Sequence, residues 1–135
     1  MYRTEAQKTA LTCIYDALLY AEAGLPVDVE EMVSGLCDLP YEKCDAFVKR
    51  MFIAALKHQA EIIPIYQARM PKWQFSRLNH LEQAILLLAY CQYFYGDEKT
   101  DRKIVINVAV DFAKTYLDAK DYKFVNAILD KVLVQ

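Results

Sequence analysis

Four cysteines, two histidines and a run of aromatic residues are the side chains with the chemistry to bind a metal, move a proton or stack on a ring. Cys13, Cys37, Cys44 and Cys91 share no Cys-x-x-Cys spacing, and His58 and His80 lie away from them in sequence, so no zinc site is predicted. Cys13 and Cys91 stand among apolar residues at helical spacing and read as buried thiols. There is no Gly-rich phosphate loop, no His-Glu-x-x-His and no nucleophile elbow. Neither histidine is read as having an acidic neighbour at a helical spacing that would orient it as a base. The chain is therefore expected to have no catalytic residue, no metal and no cofactor. The acidic pair Glu30-Glu31 suits a helix N-terminus better than acid–base work. Tyr90, Tyr93, Phe94 and Tyr95 offer π faces on which bases can stack, but aromatics closing a core helix pack against one another by default, and packing is the reading taken.

Whatever these residues do, helices must position them. At 135 residues the chain fits one domain with a core of its own, expected to divide into halves of about 1–70 and about 71–135. Hydrophobic residues make up 56%, and three glycines and four prolines are too few for a turn-rich β protein or a disordered tail. With 16 basic and 18 acidic residues the formal charge is −2, so no global field draws in nucleic acid and any such site is a local patch. Met1-Tyr2-Arg3-Thr4-Glu5 lacks the apolar segment of a signal peptide, and free thiols suit the cytoplasm, which is the expected location.

The centre of the chain is Leu78–Tyr95, whose stretch Ala84–Cys91 carries no polar side chain except the Tyr90 hydroxyl. A helix apolar on nearly all sides must be enclosed on nearly all sides. The run is far short of the roughly 20 residues a bilayer needs, so no membrane span is expected. Thr4-Glu5-Ala6-Gln7 predicts a capping box opening a first helix with Ala10, Leu11, Ile14, Ala17 and Leu18 inward, closed by Gly24 and Pro26. Asp28-Val29-Glu30-Glu31 opens a short second helix with Met32, Val33 and Leu36 inside. A third runs from Tyr41, burying Cys44, Phe47, Val48, Met51, Phe52 and Ala55, and Pro64 should kink or end it. Ile104–Val110 has the β-branched content of a strand. However, Asn107, Asp111, Lys114 and Asp118 recur at four, three and four residues, one wet stripe on a helix. Asp121 is expected to cap a last helix burying Phe124, Val125, Ile128, Leu129 and Val132. The prediction is an all-α, compact bundle of about six to seven helices.

The second half carries a recognisable pattern. Trp73-x-x-x-Arg77-Leu78, then Leu81-Glu82-x-Ala84-Ile85-Leu86, then Ile104-Val105-Ile106-Asn107-x-Ala109-Val110-x-x-Ala113-Lys114, and finally Lys123-Phe124-Val125-Asn126-x-x-Leu129-Asp130-Lys131 resembles the transcription antitermination factor NusB family. Order and spacing match as well as residues. Ala10-Leu11 and Ile14-Tyr15 add a weaker match in the first helix. The resemblance implies two packed three-helix subdomains and a non-enzymatic adaptor that binds the single-stranded RNA element boxA together with the ribosomal protein that doubles as NusE. It further implies RNA contacts at Arg3, Lys8, Lys123, Phe124 and Asn126 and partner contacts at Tyr15 and Glu82, and it admits a homodimer. Basic groups hold phosphates and a ring supplies a stacking face, as single-stranded RNA requires.

The chain departs from the family at its start, which is arginine-rich in many members. Over Met1–Glu30 two basic residues face five acidic ones. The loss of two or three phosphate contacts weakens RNA binding by roughly 10–100-fold at moderate salt. Leu87, Gln92 and Val108 occupy positions commonly charged in the family, so an internal Arg–Glu network is replaced by apolar or neutral groups. Two alternatives share the scaffold: a protein-interaction module that has lost boxA binding, and an RNA-binding domain like that of ribosomal RNA cytosine-C5 methyltransferases acting in trans.

Overall fold

The computed structural model describes residues 1–134. Its elements are α1 (Arg3–Glu22), α2 (Val29–Cys37), α3 (Ala46–Ala68), α4 (His80–Tyr95), α5 (Arg102–Tyr116) and α6 (Ala119–Val132), with short 3-10 turns at Tyr41–Lys43 and Phe75–Arg77 and no strand among the described residues. The apolar run forms α4, and every residue from Glu82 to Ala89 is buried. The enclosure comes from both halves of the chain: α4 packs against α1 and α3 on one side and against α5 and α6 on the other. Ile104–Val110 is helical, with Val105, Ile106, Ala109 and Ala113 turned inward and Asn107, Asp111 and Lys114 exposed. Burial of one face overrides the β-branched propensity. Among the described residues no helix is long and apolar enough to cross a membrane.

Several boundaries differ from the sequence expectation for local reasons. The Thr4 capping box does not form; α1 starts at Arg3 behind an extended Tyr2, with no side-chain cap. Gln7 is drawn inward instead, and its Nε2 donates to Oε1 of Gln92 at 3.4 Å. On the same helix as Gln92, Leu87 is buried, and Val108 is half-buried on α5. The close of α1 follows expectation. Gly24, at φ 74°, donates to the carbonyl of Ala21 while Leu25 donates to that of Tyr20, the two bonds that end a helix through a left-handed glycine.

The third helix begins at Ala46 rather than Tyr41, because Oδ1 of Asp45 accepts from the backbone of Phe47 and Val48 and fixes the start there. Pro64 does not end it. Pro64 and Ala60 are both exposed, so the carbonyl that loses its donor stays open to water. Leu36, expected inside, is 40% exposed. The cap of α6 is Asp118 rather than Asp121, whose Oδ2 accepts from the backbone of Asp118 at 3.2 Å.

The far end of α6 is tied down by a residue of α5. Arg102 donates through Nε to the carbonyl of Leu133 and through Nη2 to that of Asp130, both at 2.6 Å, and pairs with Oδ1 of Asp130 at 2.9 Å. These are carbonyls that the helix leaves without internal partners. Arg102→Met is expected to cost about 1.5–3 kcal/mol in urea denaturation, with amide exchange rising first at Asp130–Leu133.

Candidate nucleic-acid interface

Between α3 and α4 the chain turns with only a short 3-10 segment, and two glutamine amides, Gln67 half-buried and Gln83 buried, hold the turn. Gln67 donates through Nε2 to the carbonyls of Met70 at 3.2 Å and Trp73 at 2.6 Å, and its Oε1 accepts from the backbone of Phe75 at 2.8 Å. Phe75 is buried against Tyr66. Trp73, two residues earlier, is left 62% exposed. Gln83 donates to the carbonyls of Ser76 and Leu78 and fixes the 3-10 turn that carries Arg77. Opposite this loop lies the start of α6, where Lys120 and Lys123 are exposed and Phe124 is half-buried against the core.

Trp73 and Phe124 wall two adjoining cavities. One, of about 280 Å³, is bordered by Arg69, Lys72 and Lys131 and by no carboxylate. The other, of about 310 Å³, is bordered by Arg77, Asn79, Lys120 and Asp121, with Glu82 among its lining residues. Glu82 is buried and its Oε2 has no hydrogen-bond partner. Burial, reinforced by the carboxylate of Asp121, pushes its pKa up to about 7. Two rings of exposed or half-exposed character ringed by five cations form a surface suited to stacked bases and phosphates.

The structure gathers only part of the expected site. Phe124 and Glu82, assigned by the resemblance to different partners, share one cavity. Lys123 and Asn126 are exposed on α6 and line neither cavity. Arg3 and Lys8 belong elsewhere: Gln7, beside Lys8, meets α4 at Gln92, ten residues or roughly 15 Å along the helix from Glu82. The Arg3 guanidinium rests on the ring of Phe47, 4.1 Å from its centre. Tyr15 packs half-buried against the core from α1 and lines neither cavity. Trp73, Arg69, Lys72, Arg77, Lys120 and Lys131 complete the surface but were not assigned to it from the sequence. A tryptophan between Pro71-Lys72 and Arg77 was the available signal.

The other chemical groups have structural roles. The reading of the histidines needs correction, since His58 Nδ1 lies 3.7 Å from Oε1 of Glu61 at a helical spacing of three, and His80 Nε2 is 2.6 Å from Oε2 of Glu22. The His58 ring also stacks on Tyr95, with centres 4.3 Å apart. Tyr90, Tyr93, Phe94 and Tyr95 pack on one another and on neighbouring rings. The four thiols are free, and burial pushes Cys13 and Cys91 up to about 12. Among the described residues no group of histidine, cysteine and carboxylate side chains is placed to hold a metal ion.

The sequence profile of the NusB family matches residues 4–134. The chain belongs to the NusB family. The transcription antitermination protein NusB of Geobacillus kaustophilus is 31% identical over 134 residues, covering 98% of this chain and 95% of that protein. That of Finegoldia magna is 29% identical over 135 residues, covering 98% and 94%. The NusB structure of T. maritima superposes with a TM-score of 0.80 at 20% identity, over 98% of this chain and 91% of that one. A structure of the antitermination factors NusB and NusE with double-stranded RNA gives 0.77 at 24%, over 98% and 96%. Both share the fold. NusB proteins are non-enzymatic transcription antitermination factors, in keeping with a surface built from rings and cations.

Proposed function

We propose that this NusB-family chain is a transcription antitermination adaptor of the cytoplasm that holds single-stranded RNA on the Trp73–Phe124 surface and joins it to a NusE-type ribosomal protein. The observation that carries the RNA reading is the pair of rings walling two adjoining cavities, neither ring stacked on another aromatic among the described residues, with Arg69, Lys72, Arg77, Lys120 and Lys131 around them. Unpaired bases offer π faces to such rings, and phosphates follow the cations. Lys123 and Asn126 extend the surface along α6, and Arg3 and Lys8 form a second, weaker contact near the start of α1. The relatives named as antitermination proteins, and the NusB neighbour solved with NusE and RNA, support the adaptor role. Tyr15 on α1 is the contact proposed for the protein partner.

The test is a salt titration of binding to a boxA-like single-stranded RNA, with and without the NusE-type partner. Lys123→Ala is expected to reduce the slope of log affinity against log salt by about 0.7, the value for one phosphate contact on a single strand. Phe124→Ala should lose roughly 1–3 kcal/mol of binding. Because the Phe124 ring also packs on the core, melting temperature is followed in parallel. Arg3→Ala should do less than either, since its guanidinium is engaged on Phe47. If Arg3→Ala abolishes binding while Lys123→Ala changes neither affinity nor slope, the surface is misplaced. Partner binding without any RNA binding would instead identify a protein-interaction module.

A further inference from the structure

We infer that the Glu82 carboxylate, in the cavity between Trp73 and Phe124, reads the Watson–Crick edge of a guanine base held between those rings. The inference rests on the RNA reading above and extends it by fixing which base the cavity takes. Buried polar side chains elsewhere on α4 are satisfied: Gln83 holds two carbonyls and Gln92 pairs with Gln7. Glu82 is the exception, 3% exposed with Oε2 unpartnered. A buried carboxylate without donors is costly, and a native structure that retains one has a reason to do so. The cavity of about 310 Å³ falls in the range that accepts a small planar ligand.

The chemistry selects among bases. Guanine presents two adjacent donors, N1–H and the N2 amino group, which match the two oxygens of a carboxylate. Cytosine and adenine set an acceptor beside their single amino donor, and uracil flanks its one N–H with two carbonyls, so each places a lone pair against Glu82. The second carboxylate on the wall, Asp121, is committed to the backbone of Asp118. Arg77 and Lys120 stand at the same cavity, where they can hold the flanking phosphates. They also disfavour the other donor-rich occupant, a cationic side chain of a protein partner, which would enter beside two like charges.

The experiment uses the full chain and a short oligouridine, compared with the same strand carrying one central guanosine or one central inosine. The guanosine strand should bind at least about tenfold more tightly than oligouridine, as for a bidentate base contact, and inosine, which lacks the N2 amino group, should lose most of that gain. The inosine comparison needs no protein variant and so is immune to misfolding. Glu82→Gln should bring the guanosine preference, measured as the ratio to oligouridine, below about twofold. The preference should also fall between about pH 8 and about pH 6, because a carboxylic acid has lost one acceptor. The charged groups facing it are Arg77 from the 3-10 turn and Lys120 and Asp121 from α6.

Oligouridine binding that depends on Lys123, with equal affinity for the guanosine strand, overturns this inference and leaves the RNA reading intact. Absence of binding to all three strands overturns the RNA reading itself. A Glu82→Gln protein that keeps its guanosine preference but loses a NusE-type partner assigns the cavity to a protein and also overturns the inference.

Discussion

Tyr66→Ala is expected to lower the free energy of unfolding by about 4–6 kcal/mol, the sum of a deleted core ring and a deleted buried hydrogen bond. The side chain is fully buried at the crossing of α3 and α4. Its hydroxyl donates to the carbonyl of Leu86 at 2.6 Å, and burial pushes the phenol's pKa well up, so the donor stays protonated. The ring packs against Phe75 with centres 5.9 Å apart and meets the edge of Tyr90 at 6.2 Å. Alanine would leave a cavity that two helices and the Phe75 turn cannot collapse together. Tyr66→Phe, which keeps the ring, should cost only about 1–2 kcal/mol and so separates packing from the hydrogen bond. Against a typical total of about 5–15 kcal/mol the alanine change is severe, and urea denaturation at neutral pH reads it directly. Because Phe75 anchors the loop bearing Trp73, the same variant should weaken RNA binding. A loss below about 2 kcal/mol would mean that the α3–α4 seam is not the core.

How legible all this was in the sequence depended on the range of the interactions. Periodicity in Ile104–Val110 and the unbroken run in α4 report burial over many residues, and both were read correctly because burial dominates helix formation. Caps were read less well. Thr4-Glu5-Ala6-Gln7 has the letters of a capping box, but Gln7 lies on the face that meets α4, and the demand of Gln92 for a partner outweighed the local motif. Asp118 and Asp121 are both competent caps three residues apart, and only the unwinding of α5 at Leu117 decides between them. The candidate site was half visible. Lys123-Phe124 stood out as a motif, whereas Trp73 joins it through a loop folded by Gln67, and a glutamine reaching three backbone groups leaves no sequence signature. The separation of Arg3 and Lys8 from Phe124 was likewise invisible, since it follows from where α1 crosses α4.

Glu82 links the candidate site to the stability of the whole chain, and the link has a definite sign. Its pKa rises from an unfolded value of 4.5 to about 7 because burial, and then Asp121, disfavour the anion. An acid with a higher pKa when folded binds its proton more tightly in the native state, so Glu82 is most compatible with folding below about pH 4.5. As pH climbs through the window between the two values, the native state must ionise a buried group and loses stability, reaching a plateau above about 7. The size is on the order of 3–4 kcal/mol, from about 1.4 kcal/mol per pH unit across that window. Glu82→Gln keeps the shape and abolishes the titration. It should therefore be more stable than the wild type by about that amount near pH 8, and about equal to it near pH 4.5, in urea denaturation at both values. The difference between variant and wild type isolates Glu82 from Asp16, the other carboxyl raised by burial, which is common to both proteins. A stability difference that does not change with pH would show that the carboxylate is solvated or paired in solution. If the difference appears as expected, the chain keeps, at the cavity between Trp73 and Phe124, a buried charge that lowers its stability, as a surface shaped for a hydrogen-bonding ligand does before the ligand arrives.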